Sequence, residues 1–343
     1  MAVRLAVMGA GLIGRRHIQH IRQQEYAELA AIVDPSQDAA ALAGQLGVAC
    51  HASFASMMAA MRPDGVVVAT PNQLHVANGL DCVAAGLPAL IEKPIAADVA
   101  GAERLVDAAE QAGVPLLVGH HRRHNPLVQH AKQVLDEGRL GQVVAAHASC
   151  WFCKPPEYFD TAWRREPGAG PVFLNLIHDV DLLSHLLGPV AAVQAMESAA
   201  QRGHAVENTA TVLLRFASGV LGTVTVSDAV SAPWSWELTS GENPAYPRTP
   251  EACYWIGGTH GSLTVPGLDL WRHEGGPDWC NLIASKRVAA PVADPLGLQI
   301  QNLCGVIRGT AKPVVPGRDG LDTLRIIAAI KHAAATGQAV AVA

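Results

Sequence analysis

At 343 residues the chain is long enough for two domains, and with 50% hydrophobic residues each has material for a core. Its 25 Lys and Arg against 30 Asp and Glu leave a formal charge of −5 with no block of like charges, which argues against nucleic acid as a main partner, because duplex binding needs a clustered positive surface. No apolar run reaches the length of a membrane span, Met1-Ala2-Val3-Arg4-Leu5 lacks the layout of a secretion leader, and the 7 cysteines are odd in number and scattered, so the expectation is a cytoplasmic protein with reduced thiols.

In chain order, Val3–Met8 reads as a buried strand, Leu12–Gln23 as a helix, and Leu29–Val33 as a second buried strand. Helices are expected near Gln37–Leu46, Phe54–Met61, Leu74–Ala85 and Asp98–Ala112, and further strands at Gly65–Ala69, Pro88–Ile91 and Pro115–Val118. Strands that are apolar throughout, alternating with helices, imply a parallel sheet covered on both faces. The pattern changes after residue 121. Pro126 suits the first turn of a helix running to Glu137. Longer strands with partial alternation follow at Gln142–Trp151, Val190–Ser198, Asn208–Phe216 and Val220–Ser227, the last two joined by a hairpin at Ala217-Ser218-Gly219. A helix near Asn175–Leu187 interrupts them, Ala232–Arg248 reads as a long loop, and helices near Asp294–Arg308 and Asp319–Ala335 close the chain. The expectation is an α/β chain with a parallel-sheet domain over residues 1–121 and an α+β domain with a mostly antiparallel sheet over 122–343.

Gly9-Ala10-Gly11-Leu12-Ile13-Gly14 follows the first strand and opens a helix. In that setting Gly9 allows the tight turn, Gly11 lets backbone approach a pyrophosphate, and Gly14 lets helix and strand pack closely, while the N–H groups at Leu12 and Ile13 open the helix end that faces the phosphates. Asp34 ends the second strand, 20 residues past Gly14, where a carboxylate meets a ribose hydroxyl. That carboxylate, with no Arg or Lys between Arg22 and Arg62, favours NAD over NADP, although an arginine folding in from elsewhere leaves NADP open.

Thr70-Pro71-Asn72 with His75, and Glu92-Lys93-Pro94, follow the third and fourth of these strands. Ligands bind at the carboxyl ends of strands in open α/β sheets, so Thr70, Asn72, His75, Glu92 and Lys93 are candidate cofactor contacts. A lysine in such a crevice loses its proton more easily through desolvation, whereas at the surface it is an ordinary solvated charge. A second group, His120-His121-Arg122-Arg123-His124-Asn125, follows the fifth strand, and a third holds Lys154, Tyr158, Trp163, Arg164 and Arg165. His121, Arg123, Lys154, Trp163 and Arg164 are candidate substrate contacts suited to a carboxylate; the competing reading is an ion-pair network. Cys150 and Cys153 form a lone CxxC with no second pair, so no metal site is expected.

The glycine string, Asp34, Thr70-Pro71-Asn72 with His75, Glu92-Lys93-Pro94 and Ile177-His178-Asp179-Val180-Asp181, in this order, resemble the Gfo/Idh/MocA oxidoreductases, over essentially the whole chain. The resemblance implies a Rossmann domain plus a C-terminal domain with a large open sheet, and hydride transfer between a nicotinamide and a carbinol carbon. It implies for Lys93 a catalytic acid/base or substrate-binding role near the nicotinamide, and for His178 a role as proton donor or acceptor; without it His178 reads as an interior histidine beside Asp181. Many members carry aspartate four residues before that histidine; here the position is Leu174, and Asn175 stands three before. On an α-helix Asn175 shares a face with His178 and can bind a substrate hydroxyl, but supplies no negative charge. The expected substrate is a sugar, cyclic polyol or sugar acid. Rival readings are a dehydrogenase of a carboxylated dihydrodiol or hydroxymuconic semialdehyde, and a non-catalytic nicotinamide sensor. Strands with apolar residues on more than one face, as in Thr209–Phe216, need cover, so a homodimer or homotetramer is expected.

Overall fold

The computed structural model describes residues 1–342, which form two compact units: Met1–His124 with Ala293–Leu324, and Asn125–Val292 with the chain from Arg325 onward. The first unit alternates β1 (Val3–Met8), α1 (Leu12–Arg22), β2 (Ala27–Val33), α2 (Gln37–Leu46), β3 (Ala49–His51), α3 (Phe54–Ala60), β4 (Gly65–Val68), α4 (His75–Ala84), β5 (Ala89–Ile91), α5 (Val99–Ala112) and β6 (Leu116–Val118). Its six strands form one parallel sheet in the order β3-β2-β1-β4-β5-β6. The central strands are buried end to end, as their uninterrupted Val, Ile and Leu predict. β3, with only three residues, was too short to stand out as an apolar run.

The second unit contains α6 (Pro126–Asp136), β7 (Val143–Trp151), α7 (Ile177–Leu187), β8 (Val190–Ser198), β9 (Thr209–Phe216), β10 (Leu221–Ser227), the single turn α8 (Trp236–Thr239), β11 (Tyr254–Gly258), β12 (Ser262–Val265), β13 (Asp269–His273) and β14 (Ile283–Arg287). Three elements close the chain: α9 (Pro295–Ile307), α10 (Gly317–Thr336) and β15 (Val340–Ala341). The nine-stranded sheet runs β14-β13-β12-β11-β7-β10-β9-β8-β15, antiparallel at every pairing except β7 with β10. The β9–β10 hairpin turns at Gly219, whose φ of +90° is a conformation that L side chains rarely adopt. β9 and β10 alternate buried and exposed residues: Val212, Leu214, Phe216 and Val224 join the core with Ile177, Val180 and Leu183 of α7. The opposite face is open and carries Met196 at 77% exposure and Leu221 at 61%, beside a groove of about 850 Å³ that Trp255 and Trp271 help to wall.

Three expectations are corrected. The division at residue 121 put both C-terminal helices in the second domain; α9 and the start of α10 instead belong to the first unit. Ile300 and Leu303 of α9 lie in the same core as Leu5, Ile21 and Ile32, fully buried, and each such side chain contributes about 1.5–3 kcal/mol, so α9 is an integral layer of that unit. Strands β11 to β14 were not foreseen: Trp, His and Gly break the apolar alternation of β11 and β13, β12 has only four residues, and β14 is exposed along its length. The helix expected from Asn175 is α-helical only from Ile177; Val172–Leu176 is a π-helical turn. The wider i to i+5 turn cancels the spacing argument that set Asn175 on the face of His178.

Candidate active site

The glycine loop leaves β1 at its carboxyl end. A Cβ on Gly9 would stand 2.5 Å from Ala69 O, and one on Gly14 would stand 2.0 Å from Gly9 O, so both positions are closed to any side chain. Gly11 has nothing within 4 Å of where its Cβ would be. It is also the N-cap of α1 and offers no side-chain cap, while Leu12 beside it is 87% exposed. The first N–H groups of α1 therefore face open space beside a loop with no side chain in the way, a cradle that fits a pyrophosphate.

Asp34 follows β2. Its Oδ2 accepts the N–H of Ala10 at 2.9 Å and its Oδ1 that of Ser36 at 2.8 Å, which ties the carboxylate to the glycine loop. Burial alone would raise its pKa, but hydrogen bonds from Ser36 and Ala10, with the charge of Arg15, hold it below the ordinary value. An ionised carboxylate has about four acceptor positions, so lone pairs remain for ribose hydroxyls. Arg15 is a residue the sequence argument missed: the search for basic partners covered only the stretch between Arg22 and Arg62, whereas Arg15 reaches over from α1 and donates from Nε to Ala10 O at 3.0 Å.

Since β1, β4 and β5 are adjacent parallel strands, the loops after them share one edge of the sheet with the glycine loop. Thr70, after β4, donates its hydroxyl to Asn78 Oδ1 at 2.9 Å, and Asn72 sits half-buried in the turn Asn72–Leu74. His75 is 1% exposed, with Nδ1 at 2.8 Å from Pro94 O and Nε2 at 2.8 Å from Thr70 O. Both ring nitrogens are thus engaged by backbone, and the imidazole braces the β4 loop against the β5 loop. Glu92 is buried, its Oε1 at 2.7 Å from Nε2 of the enclosed His17, and Lys93 stands half-buried next to it, ahead of a cis bond to Pro94. His17 was also missed: the position reads as an inward α1 residue, but a partner 75 residues away is settled only by folding.

The basic residues after β6 split. His121, half-buried, contributes a charge that acts on Glu92, whereas Arg123 is buried and ion-paired with Asp319 near the start of α10. The ion-pair reading holds for Arg123. In the second unit Lys154, Tyr158, Trp163 and Arg164 do come together: Arg164 lies over the Tyr158 ring at 4.1 Å and the Trp163 ring at 5.6 Å, and Lys154 Nζ is 4.8 Å from the Tyr158 centroid. Lys154 is buried 3.5 Å from Asp228 Oδ2, and the other carboxylate oxygen, Oδ1, accepts from Arg202 Nε at 3.3 Å. Burial pushes the Lys154 ammonium below its ordinary pKa despite the opposing pull of Asp228. His178 is 8% exposed in the first turn of α7. Its neighbour Asp179 is fully buried and accepts the Tyr254 hydroxyl, so the start of α7 is anchored to β11. Asn175 is half-buried in the π-helical turn, and its Oδ1 has no hydrogen-bond partner in the fold, which suits an acceptor for a ligand hydroxyl. Among the described residues no group of three or more His, Cys, Asp or Glu could hold a metal ion.

Known proteins resemble the chain along both units. Residues 3–120 match the Gfo/Idh/MocA oxidoreductase family, NAD-binding Rossmann fold, and residues 128–264 match the Gfo/Idh/MocA C-terminal domain. Across 98% of the chain and 97% of the relative it is 27% identical to the 1,5-anhydro-D-fructose reductase of Ensifer adhaerens. Across 69% of the chain and 70% of the relative it is 30% identical to inositol 2-dehydrogenase 2 of Saccharopolyspora erythraea. The WlbA dehydrogenase of Bordetella pertussis, solved in complex with NADH and UDP-GlcNAcA, superposes with a TM-score of 0.80 at 28% identity, covering 100% of this chain and 99% of that one. A cradle shaped for a dinucleotide, a lysine turn on the same sheet edge and matches along both units lead to one conclusion: the chain belongs to the Gfo/Idh/MocA family of NAD-binding oxidoreductases.

Proposed function

We propose that this oxidoreductase interconverts a carbinol and a carbonyl on a sugar, cyclic polyol or sugar acid, with Lys93 and His178 handling the hydroxyl proton. NAD, when bound, supplies the hydride acceptor or donor. The observation that carries the reading is the shared edge: the glycine loop, Thr70 and the Glu92-Lys93-Pro94 turn follow three adjacent parallel strands. The similar reductases and dehydrogenases are named for sugars and polyols, which favours this reading over a dihydrodiol or semialdehyde dehydrogenase and over a non-catalytic sensor. Asn175 Oδ1 offers an acceptor, and Lys154 and Arg164 offer cationic donors, a set that suits hydroxyls with a carboxylate. A panel of cyclic polyols, aldoses and aldonic and uronic acids, followed at the 340 nm absorbance of reduced nicotinamide, tests it; a purified protein that binds NAD but turns over no member of any class would overturn it.

For the dinucleotide, an ionised Asp34 tied to the glycine loop repels a 2′-phosphate. Fluorescence titration is expected to show tighter binding of NADH than of NADPH, and Asp34→Ala is expected to weaken NADH far more than NADPH. Tighter NADPH binding by the unaltered protein would refute the assignment, with Arg15 the first residue to suspect. The open apolar face of the nine-stranded sheet, with Met196 and Leu221 exposed, is read as the surface that a second copy covers in a dimer or tetramer. Light scattering at micromolar concentration is expected to give a multiple of the chain mass, and a monomer mass would end that reading. The seven cysteines, odd in number and scattered along the chain, fit reducing conditions, and the cytoplasm is the compartment proposed.

A further inference from the structure

The N-terminus of helix α1 lies at the glycine loop, and one turn further on His17 points inward, fully enclosed. The imidazole Nε2 is 2.7 Å from Glu92 Oε1, and because a carboxylate only accepts, Nε2 is the donor. The second oxygen, Oε2, accepts the N–H of Lys93 at 3.1 Å. Gly119 closes the remaining side, where a Cβ would come within 2.8 Å of the Glu92 carboxylate. Burial by itself would raise the Glu92 pKa, yet the hydrogen bond and charge of His17, with the charges of His121 and Lys93, keep it below the ordinary carboxylate value. An interior carboxylate is therefore held in one orientation by α1, by the turn after β5 and by the strand end at β6.

Glu92 is 5% exposed and both of its carboxylate oxygens are engaged within the fold, so the pair stands behind the proposed cofactor cradle, and the expectation of a direct Glu92 contact with the dinucleotide gives way. In the proposed binding mode backbone N–H groups would meet the phosphates and Asp34 the ribose, and an apolar residue at position 17 would fill a core site without burying a polar atom. Buried ion pairs are often no more stabilising than apolar residues of the same shape, so what the pair contributes is placement. We infer that His17 and Glu92 are positioning residues for the reaction, clamping the backbone of Lys93 to the helix that receives the dinucleotide and keeping a negative charge beside its ammonium. The inference rests on the reading of Lys93 as a proton-handling residue.

The direct readout is Lys93 itself. Reductive methylation with ¹³C-formaldehyde labels lysines while keeping their charge, and the Lys93 signal is the one missing from Lys93→Met. Glu92→Gln preserves shape but removes the charge, so the Lys93 signal is expected to titrate at lower pH than in the unaltered protein. Against the fastest substrate of the panel, Glu92→Gln and His17→Leu are expected to lower kcat by about 10- to 100-fold, the scale of a misplaced catalytic group, with NADH affinity little changed. His17→Gln, which keeps a donor near the position of Nε2, is expected to recover most of the loss seen in His17→Leu. Unchanged Lys93 titration together with unchanged kcat in Glu92→Gln would overturn the inference. So would a His17→Leu protein that melts early and loses NADH binding in step with kcat while His17→Gln rescues nothing, since the pair would then be a fold brace. Lys93→Met separates the two levels: if it remains active, the reading beneath fails as well; if it is inactive while the pair variants behave as the unaltered protein, the pair alone is discarded.

Discussion

Lys93→Met is expected to lower kcat by about 10²–10⁴-fold, the usual worth of a general acid–base residue, with NADH affinity near that of the unaltered protein. Oxidising a carbinol removes a proton from its oxygen, and a positioned group must take it. Lys93 stands at the carboxyl end of β5, half-buried, with its N–H held by Glu92, so its backbone has little freedom. Methionine matches the lysine stem in length and apolar character but cannot titrate, which separates the proton from packing. Steady-state kinetics beside an NADH titration decides the matter: kcat near the unaltered value would remove Lys93 from the chemistry. His178→Ala belongs in the same experiment. A loss of kcat of similar size marks His178 as a second proton-handling group, whereas full kcat with a lower melting temperature marks it as part of the packing of α7.

Gly14→Val is expected to cost most at the cofactor. The Cβ it adds would stand 2.0 Å from Gly9 O and 3.6 Å from the Ala69 side chain. The first of these is a backbone atom that the fold holds in place, since Gly9 N donates to Val33 O at 2.9 Å and the neighbouring Ala69 N donates to Met8 O at 2.7 Å. Either α1 or the glycine loop must move, and both form the proposed phosphate cradle. Overpacking costs about 1–3 kcal/mol, which corresponds to roughly 5- to 150-fold in Kd. The measured signs would be weaker NADH binding and a lower melting temperature together. An unchanged Kd would show that the cradle is not where the dinucleotide sits.

Local features of the chain carried much of the first unit. Uninterrupted apolar strands implied a parallel sheet because such strands need cover on both faces, and β1, β2 and β4 to β6 follow that rule. The roles of Gly9 and Gly14 were equally local, since a missing Cβ matters within a turn and a helix of the same few residues. The second unit was less legible. β9 alternates throughout and β8 and β10 over most of their length because one face is buried, whereas β11 and β13 mix Trp, His and Gly, β12 has only four residues and β14 is exposed along its length, so little period shows.

Sequence by itself determined the dinucleotide loop, the acid at Asp34 and the lysine turn after β5, because each depends on residues close together in the chain and on strand ends that the apolar pattern marks. Folding decided the rest. It tied Arg123 to Asp319, turned both ring nitrogens of His75 onto backbone, drew Lys154 to Asp228 and gave Glu92 its partner in His17. It also returned α9 to the first unit, where Ile300 and Leu303 complete the core. A charge or an imidazole has no preferred partner in a linear string; its role is set by the few groups that burial brings within hydrogen-bonding distance, and those lie tens to hundreds of residues away.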